Sequence, residues 1–113
     1  MIDKAYLDSL TELLGKSTVD QIRLEYVQDS TNKLNQLMSA WGNRDFEELQ
    51  QLSHSLKSAS LNMAAKQFAQ QCEIIEKSAK KEDETPIQTV IESLSDLHRE
   101  TLMALSGYFS MLK

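Results

Sequence analysis

The chain reads as an all-α protein, an antiparallel four-helix bundle with a short additional N-terminal helix. Three observations lead there. Apolar residues recur three and four positions apart through four long segments, the spacing of one helix face and not the alternation of a half-buried strand. Hydrophobic residues make up 41% and charged residues 26% of the 113, with only 3 Gly and 1 Pro, which suits a packed helical chain and leaves little turn chemistry for a sheet. Four apolar stripes joined by short connections are buried most economically against one another. The length implies one domain, 1–113, with a single compact core.

The short first helix is predicted to start near Asp3, to turn Leu7, Leu10, Leu13 and Leu14 inward, and to stop at Gly15, suited to a left-handed C-terminal cap. Ser17 can then cap a second helix running to about Trp41, with Val19, Ile22, Tyr26, Leu34, Leu37 and Trp41 at helical spacing and Gly42 at its end. The polar stretch Gln28 to Lys33 interrupts that stripe without a helix breaker. Asp45 followed by Glu48 has the spacing of a reciprocal capping box and opens the third helix, whose buried side is marked by Phe46, Leu49, Leu52, Leu56 and Met63.

The periodicity changes phase around Leu61 to Ala64, and Asn62 is the residue there most tolerant of a left-handed bend. A fourth helix places Phe68, Cys72, Ile75 and Ala79 on one stripe and ends in the charged run Lys80 to Glu84. Thr85-Pro86 reads as a threonine cap followed by proline at the first helical position. The last helix presents Ile87, Val90, Ile91, Leu94, Leu97, Leu105 and Tyr108 inward.

A net charge of −5 and an isoelectric point near 5.0 argue against a nucleic-acid partner or an anionic membrane surface, which are held mainly by clustered Lys and Arg. A protein or small-molecule partner is expected instead. The single cysteine, Cys72, rules out an intramolecular disulfide and fits a reducing, cytoplasmic setting. The N-terminus lacks the apolar run of a secretory signal, and no stretch approaches the ~20 apolar residues of a membrane span. The chain is therefore expected to be soluble and complete from Met1. With 3 Gly there is little scope for a glycine-rich phosphate loop, which excludes an ATP-binding kinase domain.

Chemistry concentrates on the third helix. At ~100° per residue His54 lies about 200° from Leu56 and should face outward. Glu47, Gln50, Gln51, Lys57, Ser58 and Leu61 fall within about 60° of it and form one outward strip. A dianion on the imidazole would be offset by the Lys57 ammonium one turn away, while small Ser58 leaves room for a partner. Leu61, apolar on a polar face, is what a docking surface would contain, although one exposed leucine is ordinary. Taken alone, His54 is equally an ordinary solvated histidine. His98 borders the last apolar stripe without a lysine partner and is read as structural. Cys72 lies on the core stripe, Trp41 packs at the bundle end, and no metal site is expected.

The run His54-Ser-Leu-Lys57-Ser58-Ala-Ser60 resembles the His-x-Leu-Lys-Gly/Ser-Ser/Ala motif of histidine-containing phosphotransfer domains. The Leu-Leu-Gly15 end of the first helix, the Asp45-Phe46 start of the histidine helix and the total length extend the resemblance over essentially the whole chain. It implies a phosphorelay intermediate: His54 accepts a phosphoryl group from an aspartyl phosphate on the receiver domain of a hybrid sensor kinase and passes it to a downstream response regulator. Lys57 would steady the phosphoryl group, and Gln50, Gln51, Ser58 and Leu61 would contact the receiver. The magnesium ion of the chemistry would sit on the receiver, with no cofactor on this chain, and a monomer should suffice. Ser58 replaces a frequent family glycine, and Ala64 stands where a glycine is usual, so the bend there is expected to differ. Glu76 falls near a position where some members carry a histidine-orienting glutamine, and no role is assigned to it. The alternative is a helical-bundle adaptor that binds a partner without being phosphorylated.

Overall fold

The computed structural model describes residues 1–112. Among them are five helices, α1 Lys4–Leu14, α2 Lys16–Gly42, α3 Phe46–Asn62, α4 Lys66–Lys80 and α5 Glu84–Met111, and no strand. The last four pack antiparallel in a rod of 44 × 21 × 21 Å, and α1 covers one end.

The bundle is held by two apolar clusters. Leu34, Leu37, Trp41, Leu49, Leu56, Phe68, Cys72, Ile75, Ile87 and Leu94 fill the larger one, where α2 to α5 all contribute. Leu7, Val19, Tyr26, Met63, Ala64, Leu105 and Phe109 fill the other, beneath α1. The polar stretch in α2 now has a reason. Ser30 is fully buried within it and lies 2.8 Å from Nε2 of His98, so that gap in the stripe is a buried polar pair and not a solvated face. Tyr26 similarly meets Ser60 of α3, oxygen to oxygen at 2.7 Å.

Helix α1 buries less than the pattern promised. Leu7 is fully buried and Leu10 half-buried, but Leu13 is 79% exposed and Leu14 is exposed as well. Leu13 lies about 240° from Leu7 around the helix, away from the bundle; Leu14 shares the face of Leu7 but sits in the last turn, past the covered end. The helix is anchored instead at its start, where Asp3 Oδ1 accepts the Tyr6 N–H at 3.1 Å and the Asp3 N–H donates to Ala64 O at 2.9 Å.

Several caps differ from the sequence expectation. Helix α2 begins at Lys16, so Ser17 lies inside it and caps nothing; Gly15 (φ 88°, ψ 147°) alone joins α1 to α2. Only glycine occupies that region without strain. Asp45 does cap α3, accepting the Glu48 N–H at 3.1 Å. The reciprocal half of the box is absent because the Asp45 N–H is already spent on Ala40 O at 2.9 Å. Helix α5 starts at Glu84 with Asp83 at its N-cap position, which puts Pro86 third in the helix. Its missing N–H costs nothing there, because the first-turn donors have no intrahelical partner.

The three bundle connections share one construction. Arg44 (φ 52°), Ala64 (φ 65°) and Glu82 (φ 53°) are left-handed. Each is followed by a residue whose N–H reaches five positions back: Asp45 to Ala40 O, Ala65 to Ser60 O and Asp83 to Ser78 O, at 2.8–2.9 Å. This closes the orphan carbonyls in the manner of a Schellman motif, without glycine. Asn62 is the last residue of α3 and remains helical, so the left-handed bend falls two residues later than its side chain suggested. Ala64 keeps the left-handed turn associated with a glycine there, at a cost of about 1–2 kcal/mol for a residue with a Cβ. Its methyl is buried in the smaller cluster.

Candidate functional site

His54 sits mid-helix on α3, where Leu52 and Leu56 anchor the inward face and buried Ser53 donates to Leu49 O at 2.6 Å. The imidazole therefore rides on a rigid support and stays outward, its side chain 61% exposed. On the same strip Gln51, Ser58 and Leu61 are exposed, while Gln50 and Lys57 are half-buried. Glu47, Gln50, Gln51, His54 and Glu76 together line an open depression. The structure thus brings the sequence-predicted strip together as one surface.

The neighbour that the sequence reading left unassigned is Glu76. From α4 its Oε2 lies 2.8 Å from His54 Nδ1, and its Oε1 lies 2.7 Å from Lys57 Nζ. One carboxylate thus bridges the two side chains that share a face of α3. Burial pushes the Glu76 carboxyl upward, but hydrogen bonds and charge from Lys57 and His54 outweigh it and hold the group below the usual glutamate range. The hydrogen bond and charge of Glu76 hold Lys57 above the usual lysine range. At neutral pH Glu76 is an ionised acceptor, so Nδ1 must be the donor. The lone pair of the neutral imidazole is then on Nε2, the nitrogen facing solvent.

Lys57 is not the free ammonium that the spacing suggested, since its Nζ is paired with Glu76 Oε1 at 2.7 Å. The sequence signals for that contact were a carboxylate beside Ile75 on the flank of the α4 stripe and the nearness of Glu76 to the position of a histidine-orienting glutamine in some members of the resembled family. Spacing within α3 carries no information about which residue of α4 lies across from it.

The remaining candidates are structural. Cys72 is fully buried, and burial pushes its thiol up to about 12. His98 is 6% exposed, packs against the Phe68 ring at 5.2 Å between centroids, and is held below the ordinary histidine value by burial. Trp41 donates from Nε1 to Gln88 Oε1 at 3.1 Å and carries the Arg44 guanidinium over its ring at 3.6 Å. Among the described residues no three His, Cys, Asp or Glu side chains are gathered as metal ligands would be.

His54, Lys57 and Glu76 all lie within the stretch of the chain that a known family matches. The sequence profile of the Hpt domain matches residues 21–102. The chain belongs to the Hpt domain family. It is accordingly a histidine phosphotransfer relay intermediate, a carrier of phosphoryl groups and not a classical enzyme, of the kind that engages receiver domains of kinases and response regulators. The fold of this Hpt domain is similar to the crystal structure of histidine-containing phosphotransfer protein B from Pseudomonas aeruginosa PAO1. The TM-score is 0.88, over 97% of this chain and 95% of that one, at 24% identity. A comparison with curated protein sequences found no significant match. No helix of this Hpt domain, among the described residues, is long and apolar enough to cross a membrane.

Proposed function

We propose that His54 is the phosphoryl acceptor of this Hpt domain. It takes the group from an aspartyl phosphate on the receiver of a hybrid sensor kinase and gives it to the aspartate of a downstream response regulator. The observation that carries this is the 2.8 Å contact of His54 Nδ1 with Glu76. It turns the nucleophilic nitrogen, Nε2, outward from a helix whose surroundings leave a partner room to approach.

The Nε2 lone pair forms the N–P bond while the P–O bond to the donor aspartate breaks and its electron pair returns to that carboxylate. Lys57 lies one helical turn from His54 and supplies positive charge beside the transferring group. Gln50, Gln51, Ser58 and Leu61 form the receiver contact, with small Ser58 allowing close approach and Leu61 burying its side chain on docking. The magnesium ion is the receiver's, and the phosphoryl group comes from another protein, a reading supported by the little scope that 3 Gly leave for a glycine-rich phosphate loop. Action as a monomer in the cytoplasm completes the proposal.

The test is label transfer from a phosphorylated receiver to wild type, His54→Gln, His98→Gln and Lys57→Ala. Labelling should vanish only in His54→Gln and the label should be acid-labile and alkali-stable. It should slow about tenfold in Lys57→Ala, as expected for removing one charge-stabilising group. Transfer that survives His54→Gln, or no labelling from a broad panel of receivers, overturns the proposal.

A further inference from the structure

We infer that Glu25 of α2 is a specificity-determining residue: it selects receiver domains that bring a lysine or arginine side chain to the cleft between α2 and α3. This rests on the reading of His54 as the acceptor and adds to it which receivers fit.

The cleft has a volume of about 300 Å³. Its floor is apolar, with Tyr26 and Met63 buried and Ile22 and Ala59 half-buried beside them. That floor is fixed in place, because Tyr26 is tied across the helices to Ser60 at 2.7 Å. The rim is polar and exposed, formed by Glu25 and Asp29 of α2 and Asn62 of α3.

The two rim carboxylates are not equivalent. Asp29 is paired with Lys33 at 3.1 Å, and Lys33 also donates to Ser55 Oγ at 2.6 Å, so that charge is settled within the bundle. The other ion pair of α2 joins Arg23 to Asp20 at 2.9 Å and leaves Glu25 out. Among the described residues the side-chain partner of Glu25 is a neutral one, the Gln21 amide at 3.4 Å. Glu25 also repeats the charge of Asp29 one turn away, a spacing at which like charges disfavour a helix. A carboxylate that serves neither its helix nor the bundle is left for a partner's cation.

The cleft is continuous with the strip around His54. Around α3, Asn62 lies about 80° from His54 and Lys57 about 60° to the other side. The cleft therefore flanks the histidine towards α2, as Lys57 and Glu76 flank it towards α4. Along the axis, Ala59 to Met63 lie about 8–14 Å beyond His54. One side of a small transient interface covers about 600 Å², a disc of about 14 Å radius. A receiver that brings its aspartate to His54 thus reaches the cleft. A cation carried there speeds encounter with a chain of net charge −5, while a receiver with a carboxylate at the same place is rejected.

The test takes the receiver that labels His54 fastest and measures transfer to wild type, Glu25→Gln and Glu25→Lys. KM should rise about threefold and about tenfold respectively with kcat unchanged, and both differences should fade at about 0.5 M salt. Each lysine and arginine of that receiver is then changed in turn to glutamate, and one such change should restore transfer to Glu25→Lys. Equal KM in wild type and Glu25→Lys, or no receiver change that restores transfer, overturns the role of Glu25. Self-association in sedimentation that Glu25→Lys abolishes with KM unchanged does so too, and gives the cleft to a second copy of the chain. Phosphoramidate labels histidine without any receiver. Label from it that persists in His54→Gln overturns the acceptor assignment instead, so the two failures are distinguishable.

Discussion

His98 should make this bundle less stable as the pH falls below neutrality. It is 6% exposed between α2, α4 and α5, with Ser30 at 2.8 Å and Phe68 against its ring, and Arg23 and Arg99 line the same groove. Burial holds its pKa below the ordinary histidine value, so between the folded and unfolded values the unfolded chain binds more protons. The contribution is therefore complete above the unfolded value, about 6.5, and is lost as the pH drops towards the folded one. The slope cannot exceed about 1.4 kcal/mol per pH unit, which sets a ceiling of about 2 kcal/mol between pH 7.5 and pH 5. For a chain of 113 residues that is a fall in Tm of up to about 8 °C. The clean background is His54→Gln, because the chain has 2 histidines and His98 is then the only one. Urea unfolding at half-unit pH steps should show the decline in that variant and a flat profile in His54→Gln combined with His98→Leu. Equal slopes with and without His98 would refute the reasoning, since no other imidazole would remain to account for them.

Two further outcomes follow from the connections and the core. Ala64→Gly relieves left-handed strain of about 1–2 kcal/mol but loses a buried methyl worth about 0.8 kcal/mol and adds about 0.4–1 kcal/mol of unfolded-state freedom, so thermal unfolding should change by less than about 1 kcal/mol. Ala64→Val, β-branched at φ 65° in a site that is 1% exposed, should cost about 2–3 kcal/mol; a neutral valine would mean the turn is not held left-handed. Tyr26→Phe leaves the buried Ser60 hydroxyl without its 2.7 Å partner and should lower the unfolding free energy by about 1–2 kcal/mol, while transfer to His54 is unchanged. A loss below about 0.3 kcal/mol in urea melts would show that Ser60 finds another acceptor.

The helices of the bundle were legible because each carries its own period. Leu49, Leu52 and Leu56, or Phe68, Cys72 and Ile75, state which side of one helix is buried without reference to anything else. The caps were less legible where one backbone group had two suitors, as at Asp45, whose N–H goes to Ala40 and not to the Glu48 side chain. The left-handed turns at Arg44, Ala64 and Glu82 carry no glycine, so the residue that usually announces such a turn was missing at all three. Thr101 and Phe109 of α5 are buried, although neither belonged to the predicted stripe.

For the site the division is similar. The outward direction of His54 and its place beside Lys57, Ser58 and Leu61 follow from helical geometry alone, and sequence spacing sufficed to state them. The charge state of that face did not follow. It depends on Glu76, which lies 22 positions from His54 in the chain and meets it only because α4 folds back along α3. A single helix determines which of its residues share a face, since its period is set by its own backbone. Which residue of the next helix completes that face is decided by packing and register, and here they turned a histidine and a lysine into a bridged triad with Nε2 facing the solvent.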